Sequence, residues 1–94
     1  MDLVVRSYSE QGASALFDVM SRREEDVKAL ISGVPGFVSY AAFRSGGDGV
    51  TVTVCQDKAG TDESSRRAAE WVKDNVTTTV DPPAITEGST VLQF

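Results

Sequence analysis

The stretch Phe37-Val38-Ser39-Tyr40-Ala41-Ala42-Phe43-Arg44, Ser45-Gly46-Gly47-Asp48-Gly49, Val50-Thr51-Val52-Thr53-Val54-Cys55-Gln56-Asp57 decides the fold. Residues 37–44 read as a strand of aromatic and small apolar side chains. Residues 45–49 read as a hairpin loop, rich in glycine because a tight turn needs positive φ. Residues 50–57 alternate strictly: Val50, Val52 and Val54 face one way, Thr51, Thr53 and Cys55 the other. An antiparallel hairpin therefore occupies the middle of the chain.

Reading toward the N-terminus, residues 3–8 are a β-branched run and form a first strand. Ser9 suits a helix cap, and Glu10 suits the first turn that follows. Residues 10–32 then read as one helix. Ala13, Leu16, Met20, Val27, Leu30 and Ile31 share one stripe, with Ser14, Asp18, Ser21, Glu25 and Lys28 opposite. Gly33 and Pro35 stop it.

Toward the C-terminus, Thr61 is placed to cap a second helix, with Asp62 and Glu63 in its first turn. Ala68, Val72 and Val76 form its inward stripe. Residues 77–80 are a fraying end or an extended link, and Asp81-Pro82-Pro83 is a stiff connection. Residues 84–94 read as a fourth strand, with Gly88 at a bulge or kink. The order strand, helix, strand, strand, helix, strand predicts an α+β two-layer sandwich. A four-stranded antiparallel sheet lies under two helices, in a single domain over residues 1–94.

Two helices cover one face of such a sheet, yet the strands are apolar on both. Phe37, Ala41 and Phe43 oppose Val38, Tyr40 and Ala42; Leu3 and Val5 oppose Val4 and Tyr8; Val91 opposes Leu92 and Phe94. The second face therefore calls for a partner, a second copy of the chain, giving a homodimer through the sheet. The alternative is a monomer whose Thr51 and Thr53 make a wet face.

The 94 residues carry a net charge of −5, which argues against nucleic acid as a partner, since phosphates need a basic patch. Arg22-Arg23 and Arg66-Arg67 have acidic neighbours and read as solvated helix faces. Cys55 is the sole cysteine, so no intrachain disulfide forms. No membrane span or leader pattern is visible, and a cytoplasmic location is expected. With no histidine, no metal-ligand cluster and no phosphate loop, no metal and no cofactor are expected.

The Gly33-Val34-Pro35-Gly36-Phe37 lead into the second strand resembles the dimeric α+β barrel superfamily. So do the helical segment before Pro82-Pro83 and the Thr86-Glu87-Gly88 close. The antibiotic-biosynthesis monooxygenase-type domains are the best-known members, and the similar layout spans essentially the whole chain. The resemblance implies a ferredoxin-like protomer, a homodimer whose sheets form a shared barrel, and a small-molecule cavity between helices and sheet. It implies a range of activities, from cofactor-independent oxygenation of aromatic polyketides or quinols to haem degradation, isomerisation or none known. Haem degradation in that family relies on a histidine that this chain lacks. The oxygenases place an aromatic residue near the third strand, where this chain has Val54-Cys55-Gln56, so no catalytic residue carries over.

Among individual residues, Arg23 falls inside the apolar stripe between Met20 and Val27. It is a candidate anion anchor at a cavity mouth, or a side chain snorkelling to water. Trp71 and Asn75, one turn apart, are candidates for a pocket wall and an amide that orients a carbonyl. Tyr40 is a further ligand-binding candidate; Tyr8, as a general acid, and Glu87, as a desolvated base, are weaker ones. Cys55 reads as an inert buried residue, and Ser64-Ser65 lacks the histidine a triad needs. The expected function is binding of a small apolar or aromatic molecule between helices and sheet. A cofactor-independent monooxygenase and a non-catalytic interaction module are the alternatives.

Overall fold

A computed structural model describes all 94 residues. The elements are β1 (Asp2–Tyr8), α1 (Ala13–Arg22), α2 (Glu24–Ser32), β2 (Phe37–Ser45), β3 (Asp48–Cys55), α3 (Lys58–Asn75) and β4 (Ala84–Ser89). The strands form one antiparallel sheet in the order β2-β3-β1-β4. The central hairpin closes more tightly than expected: Ser45 pairs with Asp48, leaving Gly46 and Gly47 as the turn, with Gly46 at φ 63.

Register assigns the faces, because directly opposed residues point to the same side. Val4 pairs with Thr53, Arg6 with Thr51 and Tyr8 with Gly49. Val4, Arg6, Tyr8, Thr51, Thr53 and Cys55 are all buried, and this is the face the helices cover. Thr51 and Thr53, the wet face of the monomer alternative, thus lie in the interior. The valine side, with Leu3, Val5, Val50 and Val52, is the half-buried open face, continued on β2 by Ala41 and the 54% exposed Phe43.

A register shift between Phe37 and Ser39 makes Val38 an extra residue. It moves Phe37 to the Tyr40 and Ala42 side, opposite Cys55, and not to the side of Ala41 and Phe43 as strict alternation predicts. No such shift occurs at Gly88, which pairs in unbroken register with Leu3. Strand β4 also stops at Ser89. The Thr90 amide donates to the Met1 carbonyl at 2.7 Å, and residues 90–94 leave the sheet with Val91, Leu92 and Phe94 exposed.

The first helix departs from the single expected one. Arg23 leaves helical geometry at φ −119, ψ 40, so the segment splits into α1, packed on β3, and α2, packed on β2. Two orientations let the chain follow two strands of a twisted sheet. Ser9 caps nothing: α1 begins after Gly12, at φ 83, where an added Cβ would lie 2.7 Å from the Val80 Cα. That backbone approach is fixed by the Asp81 amide bonding the Gln11 carbonyl at 3.0 Å.

Helix α3 starts one turn before the expected Thr61 cap. Asp57 caps it, accepting from the Gly60 amide at 3.2 Å, and Thr61 is buried in the first turn. The core beneath the helices gathers Tyr8, Ala13, Leu16 and Phe17, with Met20, Trp71, Val72, Val76 and Val80 against it. The Tyr8 and Phe17 rings meet edge to face at 5.9 Å. Gly49 makes room for Phe17: a Cβ there would overlap its ring.

Candidate functional site

Period-two alternation along β1 turns Val4, Arg6 and Tyr8 inward together. Arg6 is 2% exposed and is the one buried side chain carrying a permanent charge. Its Nη2 donates to Ser64 Oγ at 2.6 Å and to Ser65 Oγ at 3.1 Å; its Nη1 donates to Thr53 Oγ1 at 3.1 Å and Thr51 Oγ1 at 3.4 Å. Its Nε reaches Ser65 Oγ at 3.3 Å. Every partner is a neutral hydroxyl, supplied by β3 or by α3. No carboxylate forms an ion pair with Arg6. Burial holds its pKa below the ordinary arginine value.

Arg6 forms the polar end of a cavity of about 30 Å³ between sheet and helices. Tyr8, Tyr40 and Thr51 share that end, while Leu16, Leu30, Ala68, Trp71 and Val72 form the apolar walls. Burial pushes the Tyr40 phenol up to about 12, partly offset by the Arg6 charge and the Thr51 hydroxyl. Burial raises Tyr8 too, again against the pull of Arg6. Both phenols stay protonated through neutral pH and remain hydrogen-bond donors.

A larger groove, about 640 Å³, opens to solvent between the α1–α2 pair and β2. Met20, Val27, Ile31 and Tyr40 line both spaces and form the partition between them. The small side chain of Ala42, on the helix-covered face, leaves the floor of the groove low, and Glu24, Lys28 and Arg44 stand among its lining residues.

The expected site residues divide. Tyr40 and Trp71 line the cavity, as does the weaker candidate Tyr8. Arg23 does not: it is 44% exposed, donates to Asp26 Oδ2 at 2.8 Å and to the Asn75 amide oxygen, and lies 5.8 Å over the Trp71 ring. Asn75 in turn donates to the Trp71 carbonyl at 2.9 Å. The three residues do come together, but Arg23 and Asn75 clasp the α1–α2 break to α3 from outside, because the break at Arg23 swings its side chain off the inward stripe. Glu87 lies on the exposed edge strand, 3.9 Å from Lys58 Nζ; it is outside the cavity lining, but its charge acts on Arg6 from a distance. Cys55 is fully buried, and burial first, then Asp57, raises its thiol above the ordinary value.

Sequence reasoning missed Arg6. The signal was available in period two, which places it between Val4 and Tyr8 on one side of β1, opposite threonines. An arginine in a short strand reads by habit as exposed.

The element order, the β2-β3-β1-β4 sheet and the one-sided helix layer define a ferredoxin-like α+β fold. No family profile and no curated protein matches the sequence. Solved structures share the fold. One is a protein of unknown function from Nitrosomonas europaea, at 21% identity and TM-score 0.71, covering 99% of this chain and 90% of that one. Another is a monooxygenase from the gene ActVA-Orf6 of Streptomyces coelicolor, in complex with Nanaomycin D, at 16% identity and TM-score 0.70, covering 99% and 89%. A third is a dimeric ferredoxin-like protein from an uncultured marine organism, at 12% identity and TM-score 0.64, covering 99% and 94%.

Proposed function

We propose that the chain is a homodimeric α+β-barrel protein that binds a small apolar or aromatic molecule between helices and sheet. One observation carries this reading: a solvent-open groove of small-molecule size abuts an apolar cavity with convergent polar groups at its end. The partition between them is made of side chains, and Met20 is unbranched and adaptable. A ligand entering from the groove displaces these side chains and reaches Trp71. The open valine face, continued by Ala41 and Phe43, supports pairing of two copies, and one protein of the same fold is itself dimeric.

The test uses the only tryptophan in the chain. In an ¹⁵N–¹H spectrum, the single indole cross-peak of Trp71 shifts as 2-naphthamide, a neutral aromatic probe, is added. A peak that stays in place at saturating probe rejects the site.

A second reading, a cofactor-independent monooxygenase, is favoured by the fold shared with the Streptomyces coelicolor monooxygenase. Oxygen uptake in the presence of naphthoquinol-type substrates, with metal chelator added, separates it from simple binding. Uptake no faster than in buffer rejects it.

A further inference from the structure

We infer that the ligand of this site is an apolar monoanion, an acid whose single ionised oxygen ends on the Arg6 guanidinium. The inference rests on the binding reading above and adds the chemical class. A buried charge is costly unless it is paired, and Arg6 has hydrogen-bond partners without having a counter-charge. Its neighbours satisfy every donor, and no buried polar atom is orphaned. What is missing is a carboxylate in contact, since Glu87 on the neighbouring strand acts on Arg6 only from a distance.

The partners are of the kind that admits an anion. A carboxylate partner would neutralise Arg6 and repel a second anion; a hydroxyl does neither. Ser and Thr hydroxyls both accept and donate, and rotate to suit. Thr51 accepts from Arg6 at 3.4 Å, the longest of the five bonds, and it also lines the cavity. An oxyanion placed there takes the Arg6 Nη1 donor and receives the Thr51 hydroxyl. Tyr8 and Tyr40, both protonated at neutral pH, are further donors at the same end. Charge-assisted bonds of this type are the strong ones.

The rest of the wall sets the remainder of the class. Leu16, Leu30, Ala68, Trp71 and Val72 present no second cation, so a doubly charged phosphate ester finds one charge unmatched. The body of the ligand is therefore apolar, and its charge is single and terminal.

Calorimetry at pH 7 with 2-naphthoate, 2-naphthamide and 2-naphthol on the unaltered protein tests the inference. Naphthoate binds on the order of tenfold or more tighter than the isosteric amide. Arg6→Met removes that preference, bringing acid and amide to similar affinities, and Arg6→Lys keeps part of the preference. Naphthol, neutral at pH 7, matches the amide and tightens only when the pH is raised through its own ionisation. That arm separates a phenolate from a carboxylate as the preferred oxyanion. A measurement free of variants stands beside these: the Nε–H resonance of Arg6 shifts with naphthoate and stays with naphthamide. Equal affinity of acid and amide overturns the charge assignment and leaves the binding reading intact. An acid preference that survives in Arg6→Met overturns the role of Arg6. Absence of binding by all three probes overturns both readings.

Discussion

Arg6 Nη2 lies 2.6 Å from Ser64 Oγ, and the Ser64 hydroxyl sends its own proton to the Thr61 carbonyl at 2.7 Å. A full charge on β1 is thus tied by a neutral group to the first turn of α3. The bond holds the helix over the sheet, yet it does nothing to balance the charge. Stability and the proposed ligand recognition make opposite demands on this residue.

Arg6→Met tests that opposition. Breaking a buried ion pair typically costs about 3–5 kcal/mol because a lone charge is left behind. Here the charge itself leaves, and Ser64 keeps its bond to Thr61. The ligand-free variant loses less than about 2 kcal/mol in urea unfolding, the loss coming from the freed hydroxyls of Thr51, Thr53 and Ser65. A loss above about 3 kcal/mol would show that Arg6 serves the fold first.

The two tyrosines give a pH signature. Both phenols are raised by burial, Tyr40 to about 12 from 10.0. A group whose folded pKa is raised binds its proton more tightly in the native state. Its contribution to stability is whole below pH 10 and is lost as the pH climbs toward 12. Absorbance at the phenolate band therefore stays flat past the ordinary tyrosine midpoint and then rises together with unfolding. A reversible phenolate signal near pH 10 in folded protein would place at least one ring in water.

The open face of the sheet predicts an assembly state. Val52 lies on that face beside Val5 on β1 and Ala41 on β2. In size exclusion with light scattering, the chain runs at roughly twice its 10.0 kDa mass, as isologous pairing requires. Val52→Lys places an unpaired charge in the middle of the interface. It weakens association on the order of a hundredfold or more, while circular dichroism keeps its native shape. A wild-type chain that runs as a monomer at high concentration ends the dimer proposal.

Gly49 and Gly47 make a contrasting pair on one hairpin. A Cβ at Gly49 overlaps the Phe17 ring, whereas one at Gly47 meets nothing within 4 Å. Gly49→Ala lowers stability by about 1–3 kcal/mol, the usual cost of overpacking, and shifts the Tyr8–Phe17 ring signals. Gly47→Ala changes stability by less than about 1 kcal/mol. Equal effects at the two positions would mean that Phe17 does not lie across the hairpin.

Much of the architecture is legible in the residues, because it depends on periods. The alternation through Val50–Cys55 and the two stripes, one through Leu16 and Met20 and one through Ala68 and Val72, fix the layers. The errors have local physical causes. The split at Arg23 is invisible to a 100° repeat that runs through both helices. The extra residue at Val38 reverses the face of Phe37, since one inserted residue flips a strand. The Thr61 cap loses to Asp57 because Gly60 lets the helix start close to β3, where a Cβ would lie 2.6 Å from the Pro35 carbonyl. That Trp71 and Tyr40 line the cavity is legible because they are large and lie on apolar stripes. Arg6 was missed because its hydroxyl partners lie 45 to 59 residues away along the chain. A bond of that span leaves no periodic trace.

The cavity wall contains three ionisable side chains, Arg6, Tyr8 and Tyr40, and the chain has no histidine. Nothing in the wall changes its protonation between about pH 6 and 9. Across that window the cavity wall is a bystander to proton exchange. A midpoint in uptake versus pH is then the dissociation constant of the guest, so an unknown acid captured by this chain can be assigned to a chemical class by titration before its structure is known.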